Sequence, residues 1–175
     1  MLIREATVDD AHGIAVVHVR SWQAAYRGLM PQAVLDDLSV TQREEGWLRI
    51  LSGDAPDGAA AHRGRTIVAE RERRILGWAS FGEARDADAP AGAELWGVYA
   101  HPEAYGQGAG HALITAVEAA FRAEGHASAY LWVLAGNARA ETFYQRHGWL
   151  EDGGVKVDER PGLRLRERRR VRRLA

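Results

Sequence analysis

The chain has 175 residues, 46% hydrophobic and 27% charged, with a formal net charge of −1, a composition that supports one folded domain over residues 1–175 and excludes wholesale disorder. It contains no cysteine, which excludes disulfides, thiolate zinc sites and a cysteine nucleophile. No apolar run approaches the roughly 18 residues of a membrane span, and no charged-then-apolar leader opens the sequence, so a cytoplasmic protein without a membrane partner is expected.

In chain order, Leu2–Ala6 reads as a short strand, and Thr7 with Asp10 forms a capping-box-like helix start. Ala11, Ile14, Ala15, His18, Trp22, Ala25, Tyr26 and Leu29 then recur at spacings of three and four, the apolar stripe of a helix. Pro31 opens a second short helix, and Thr41–Leu51 suits a third. Residues 53–64 form a loop rich in Gly, Ala, Asp and Pro. Thr66–Glu70 and Ile75–Gly82 read as strands joined by a tight charged turn at 72–74, and Glu94–Ala100 as another after an acidic loop at 86–92. The apolar positions from Ala109 to Phe121 predict an amphipathic helix stopped by Gly125. Tyr130–Leu134 reads as a strand. Asn137 caps a helix ended by Gly148, and Val155–Val157 and Leu163–Val171 are the last strand candidates.

Three glycines at alternate positions, Gly106, Gly108 and Gly110, stand between a strand and a helix start. A helix N-terminus exposes unpaired N–H groups and positive dipole, and glycine lets a bulky anion approach the backbone, so the segment reads as a phosphate-binding loop. A P-loop is excluded because no lysine stands here. A dinucleotide fingerprint would need its third glycine at position 111 or 113, where His111 and Leu113 stand. The plain alternative is a tight strand-to-helix connection.

Tyr105-Gly106-Gln107-Gly108-Ala109-Gly110 resembles the pyrophosphate loop of the GNAT superfamily of acyl-CoA-dependent N-acetyltransferases, Arg/Gln-x-x-Gly-x-Gly/Ala, with Tyr105 in the usual Arg/Gln place. About 30 residues on, Asn137-x-x-Ala140-x-x-Phe143-Tyr144-x-x-x-Gly148-Trp149 is similar to that family's second motif. Trp22-x-x-x-Tyr26-x-Gly28-x-x-Pro31 looks like the N-terminus of many uncharacterised bacterial members. The resemblance implies an α/β fold with a mixed, mostly antiparallel sheet of about six or seven strands, flanked by four or five helices and splayed between strands 4 and 5. It also implies acetyl-CoA as co-substrate, with pantetheine along the backbones of Val98, Tyr99 and Ala100 and phosphates on residues 105–111, where the loop runs into Ala109, Gly110 and His111. Phe143 and Asn137 would also reach the cofactor, although a pure N-cap role for Asn137 remains open.

Acetyl transfer to an amine needs a neutral acceptor nitrogen, a donor for the oxyanion and a proton or dipole for the leaving thiolate. The resemblance implies Tyr144 as general acid and an N–H near Val98 or Tyr99 as oxyanion donor. Glu94, at the start of the strand leading to the loop, is the candidate base, acting directly or through water; a solvated carboxylate at a strand start is the alternative. Glu83, with Asp86 and Asp88 behind it, could orient a cationic acceptor. Trp22, Tyr26 and Trp47 are candidates for the acceptor pocket, with core packing the alternative. The acceptor would be a primary amine of a small molecule or of a peptide or protein N-terminus. The histidines show no metal-ligand spacing, so no metal is expected.

Two features fall outside that reading. Lys156 is the only lysine, which reads as genome composition rather than chemistry. Seven arginines between Arg164 and Arg173 face one glutamate, Glu167, leaving 16 basic and 23 acidic residues elsewhere. That segment could be an RNA- or ribosome-binding arm, but Leu163, Leu165 and Val171 alternate with arginines, as in a terminal strand whose basic face discourages edge pairing. Nucleic acid is therefore not an expected partner. A homodimer through the C-terminal strands and a catalytically idle acyl-CoA sensor both remain compatible with the sequence.

Overall fold

The computed structural model describes residues 1–53, 64–160 and 163–174. Seven strands form one sheet: β1 (Leu2–Glu5), β2 (Arg65–Arg71), β3 (Arg74–Glu83), β4 (Ala93–Ala100), β5 (Ser128–Leu134), β6 (Leu150–Arg160) and β7 (Leu163–Arg173). Among the described residues, the helices are α1 (Ala11–Ala25), α2 (Gln32–Asp36), α3 (Val40–Ser52), α4 (Ala109–Ala123) and α5 (Ala138–Arg146). The loop expected over 53–64 lies largely outside the described residues.

The strand order is β1-β2-β3-β4-β5-β7-β6, antiparallel throughout except for β4 against β5. That parallel pair follows from the connection, since α4 carries the chain from the end of β4 back to the start of β5. The pair is short. Ala93, Glu94 and Leu95 match Ala129, Tyr130 and Leu131, and then the ladder stops although both strands continue. The expected splay is therefore present, and the β5-facing edge of Trp96–Ala100 is left without a strand partner. A bulge helps to turn the strand. Ser80 pairs with Gly97 and Phe81 with Leu95, so Trp96 is an extra residue on β4.

The main core lies under α4, where Leu113, Ile114, Val117 and Phe121 meet Phe81, Leu95 and Leu131. Trp149 is fully buried there, its indole N–H donating to Glu118 over 2.9 Å. On the opposite face, Ile14, Val17, Trp47 and Trp78 form a second cluster, and Tyr26, Met30, Leu35 and Leu134 a third. The first helix ends at Ala25, short of the expected stripe, and Leu29 is exposed beyond it. The turn between β2 and β3 is two residues, Glu72 and Arg73, both at positive φ, as a right-twisted hairpin requires.

The C-terminal strand departs from expectation. β7 is not a sheet edge: it runs between β5 and β6, and β6 takes the edge. Its arginines are exposed toward its two ends, at Arg164, Arg166 and Arg173, and the Arg168 side chain is partly so. Arg170 is buried and pairs with Glu151, Arg169 pairs with Asp152, Arg168 with Glu151 and Arg172 with Glu118. A strand flanked on both sides must neutralise such charges across the sheet rather than in water. Among the described residues, no helix is long and apolar enough to cross a membrane.

Candidate active site

The opening between β4 and β5 widens into a cavity of about 720 Å³. One end is the glycine loop. Gly108 sits at φ +86° and Gly106 at φ +75°, in the left-handed region that glycine adopts freely, and a Cβ at either would meet only open space. The first bond of α4 runs from the Ala112 N–H to the Gly108 carbonyl, 2.9 Å, so the N–H groups of Ala109, Gly110 and His111 have no carbonyl partner within the helix. Tyr105, Gly106, Gly108, Ala109, Gly110 and His111 all line the cavity. Gln107 does not; its side chain turns outward, accepting from Arg71 at 3.0 Å and donating to the Glu103 carbonyl at 2.7 Å. The Arg139 guanidinium lies over the Tyr105 ring, 3.2 Å from its centre, and has no acidic partner among the described residues. Arg139 and Arg146 both line this end. Unpaired N–H groups, an open glycine backbone and uncompensated guanidinium groups fit a polyphosphate.

The walls follow from the two strands and α5. Val98, Tyr99 and Ala100 lie along the unpaired stretch of β4. Asn137 caps α5 by accepting from the Ala140 N–H at 3.2 Å and also lines the cavity, so both of its expected roles are compatible. Phe143 packs against Gly110, where a Cβ would meet its ring at 3.3 Å. His147 links α5 to α4 through His111, ring nitrogens 2.9 Å apart. Tyr144 is buried yet faces the cavity, and its hydroxyl has no hydrogen-bond partner among the described residues. Burial first, then the neighbouring Tyr99, push its phenol well above the usual tyrosine range.

Glu94 also lines the cavity, but it is no solvated strand-start carboxylate. It is 1% exposed. Its Oε1 accepts from Arg85 at 2.6 Å; its Oε2 accepts from the Arg85 Nε and backbone N–H and from the Tyr130 hydroxyl, each at 3.0 Å. The Asp86 loop is likewise tied down, its carboxylate accepting from the Trp132 indole at 2.7 Å. Four bonds on one carboxylate leave little lone-pair capacity for an incoming proton.

Of the expected acceptor-side residues, Tyr26 reaches the cavity, its hydroxyl 3.1 Å from that of Tyr99. Trp47 does not: it is buried in the α1–α3 cluster, its indole donating to His18 at 3.3 Å. Trp22 is half-buried against His18 and Tyr26 and does not line the cavity either. Glu83 is exposed at the end of β3, outside the cavity, where its carbonyl accepts from the Trp96 indole and its side chain has no partner among the described residues. The α1 stripe serves both a core and the cavity wall, so Trp22 packs while Tyr26 reaches the cavity; Trp47 on α3 and Glu83 at the end of β3 lie off that stripe. Other residues that line the cavity, Arg85, Trp96, Trp132, Lys156 and Glu167, come from a loop, a bulge and the β5–β7–β6 end of the sheet. Glu167 stood out in the sequence only as the one acid among the C-terminal arginines, and nothing local said which strand it would face. Among the described residues, no group of three or more His, Asp or Glu is placed to hold a metal.

A splayed β4–β5 pair, a glycine loop at a helix N-terminus and a tyrosine on the following helix, all on one cavity, define an acyl-CoA-dependent acyltransferase. The chain belongs to the Acetyltransferase (GNAT) family, which matches residues 22–149, and it is an N-acetyltransferase. It is 32% identical over 167 residues, 94% of this chain and 88% of the relative, to "Uncharacterized N-acetyltransferase YuaI" of Bacillus subtilis (strain 168). Its fold is that of the PaiA N-acetyltransferase of Thermoplasma acidophilum solved with coenzyme A, at TM-score 0.68 and 18% identity over 98% of both chains. It is also that of YncA from Salmonella typhimurium solved with acetyl-CoA, at TM-score 0.65 and 19% identity over 99% of this chain and 94% of the other.

Proposed function

We propose that the protein transfers an acetyl group from acetyl-CoA to a primary amine by direct attack, with both substrates held in the one cavity. The carrying observation is that the glycine loop, the unpaired edge of β4 and the Tyr144 hydroxyl share that cavity. The phosphates of acetyl-CoA lie on the N–H groups of the loop and α4. Arg139, stacked on Tyr105, takes the place of the polar side chain that position 105 lacks. Pantetheine pairs with the β4 edge from Trp96 to Ala100, and a β4 N–H near Val98 or Tyr99 receives the oxyanion. The chain has no cysteine to carry the acetyl group, which supports direct transfer.

A primary amine with a pKa near 10.4 is protonated by about three units at neutral pH, so freeing its nitrogen costs roughly 4 kcal/mol. Glu94, saturated by Arg85 and Tyr130, serves to fix Arg85 and the loop behind it, and the proton leaves by another group or through water. With its pKa raised, Tyr144 acts as a hydrogen-bond donor to the departing sulfur rather than as a full acid. The acceptor is a small amine or the amino terminus of a peptide or protein.

Thermal unfolding in acetyl-CoA, CoA, ATP and NAD, each in separate excess, tests the reading. At about 100 times Kd a native-state ligand adds about 2.7 kcal/mol, a Tm rise on the order of 5–11 °C for a chain of this size. A rise with acetyl-CoA and CoA alone is expected. No rise with either overturns the assignment.

A further inference from the structure

Of 23 lysine and arginine residues, Lys156 is the one lysine, and it lies on the wall of the acetyl-transfer cavity. It stands on β6 directly opposite Glu167 on β7. Its Nζ is 3.4 Å from Glu167 Oε2 and 4.5 Å from the centre of the Trp132 ring. Trp132 and Glu167 line the same cavity, together with Tyr26, Tyr99 and Tyr144. The Arg169 guanidinium also lies over the Trp132 ring, at 5.6 Å; a carboxylate and an indole face that meet one ammonium group form a seat for it, joining charge attraction to the cation–π term.

The two carboxylates of the cavity differ in what they have left to offer. Glu94 is filled by Arg85 and Tyr130. Glu167 has no partner besides Lys156 among the described residues, and that contact is longer than a tight charge-assisted hydrogen bond. The Lys156 side chain is 38% exposed, so the pair is weak and exchangeable. The flexible four-carbon stem lets Nζ leave Glu167 without moving β6. Burial first, with the Glu167 charge among the lesser causes, raises the Tyr26 and Tyr99 phenols, which places this carboxylate within electrostatic reach of the hydroxyls facing the cavity.

We propose that Glu167 and Trp132 form the seat for the acceptor's ammonium group, that Lys156 occupies it when no acceptor is bound, and that the Lys156 amine is itself acetylated from bound acetyl-CoA. This rests on the function proposed above. Glu167 takes one proton from the Lys156 ammonium, and the neutral Nζ adds to the thioester carbonyl carbon. The C–S bond breaks as the adduct collapses, and a second nitrogen proton passes to sulfur beside the Tyr144 hydroxyl. The products are Nζ-acetyl-Lys156 and CoA thiol, with the proton on Glu167 returned to solvent. Acetylation removes the charge and empties the seat of its tethered occupant.

Two readouts test this on the full chain. Intact mass after incubation with acetyl-CoA is expected to rise by one acetyl group, mapped by peptide mass to Lys156. The gain is expected to be independent of protein concentration, absent in Lys156→Arg, and slowed about 100-fold or more in Glu167→Gln. With a single lysine, isotope labelling of its ε-methylene yields one lysine NMR signal. It is expected upfield of free lysine from the Trp132 ring, and to move toward the free position on titration with n-butylamine, without any turnover. An unmodified Lys156 in a chain that acetyl-CoA does stabilise against heat overturns the proposal alone; a chain that acetyl-CoA does not stabilise overturns both it and the function it rests on. Acetylation equally fast in Glu167→Gln or in the urea-unfolded chain, or a lysine signal that butylamine leaves in place, reduces Lys156–Glu167 to a cross-strand ion pair and also overturns it.

Discussion

His18 on α1 sits among four aromatic rings: Trp22 at 5.1 Å, Trp78 at 5.4 Å, Tyr99 stacked at 6.0 Å and Trp47 at 6.2 Å between centroids. Its Nδ1 accepts from the Trp47 indole, so the ring proton belongs on Nε2, a buried N–H without an acceptor among the described residues. Burial first, and the charge of Arg43 second, lower its pKa from 6.5 to about 3. Between those values the unfolded chain holds a proton that the native protein refuses, so stability is complete above about 6.5 and is lost as pH falls toward 3. At about pH 5 the loss from this group is about 2 kcal/mol. Carboxylates held low by partners, such as Asp10 beside Arg4, are still ionised there. The assay is urea unfolding at about pH 7.5 and about pH 5 for the wild type and His18→Phe. The variant leaves the Trp47 N–H unpaired and loses about 1–3 kcal/mol relative to wild type at about pH 7.5; at about pH 5 most of that gap closes, because its loss between the two pH values is smaller than the wild type's by about 2 kcal/mol. Equal losses in both proteins would show that the native imidazole titrates as in water, and the dry aromatic cage would be refuted.

Tyr144→Phe removes a hydroxyl that bonds to nothing else in the described protein, so Tm and acetyl-CoA affinity are expected to hold while kcat for amine acetylation falls about 100-fold; thiol release under saturating acetyl-CoA checks this, and an unchanged kcat removes Tyr144 from the reaction. Gly108→Ala forces a side chain to φ +86° in otherwise open space, a backbone cost of about 1–2 kcal/mol that calorimetry reads as a fall of roughly 2–8 °C in Tm. The distorted loop also binds acetyl-CoA more weakly by titration calorimetry, whereas wild-type values for both would show that the left-handed turn is not required.

What the sequence determined by itself is the set of features whose physics is local. The glycine loop, the start of α4, the Asn137 cap and the face of α5 that carries Tyr144 were all legible, because positive φ, unpaired N–H groups and helical spacing are settled by a residue and its near neighbours. The β2–β3 hairpin was legible in the same way, although its turn is two residues rather than the three expected and a bulge between Ala69 and Glu70 shifts its register. Tertiary structure decided the rest. Whether Trp47 faced core or cavity depended on α3 folding onto α1. Whether Glu94 was free depended on Arg85 returning from the loop before it and on Tyr130 from the neighbouring strand. The cavity wall at this end of the sheet waited on β7 entering between β5 and β6, because strand order is set by backbone pairing between distant segments and leaves no mark on the residues around any one of them. Only that insertion brings Trp132, Glu167 and the single lysine to one wall.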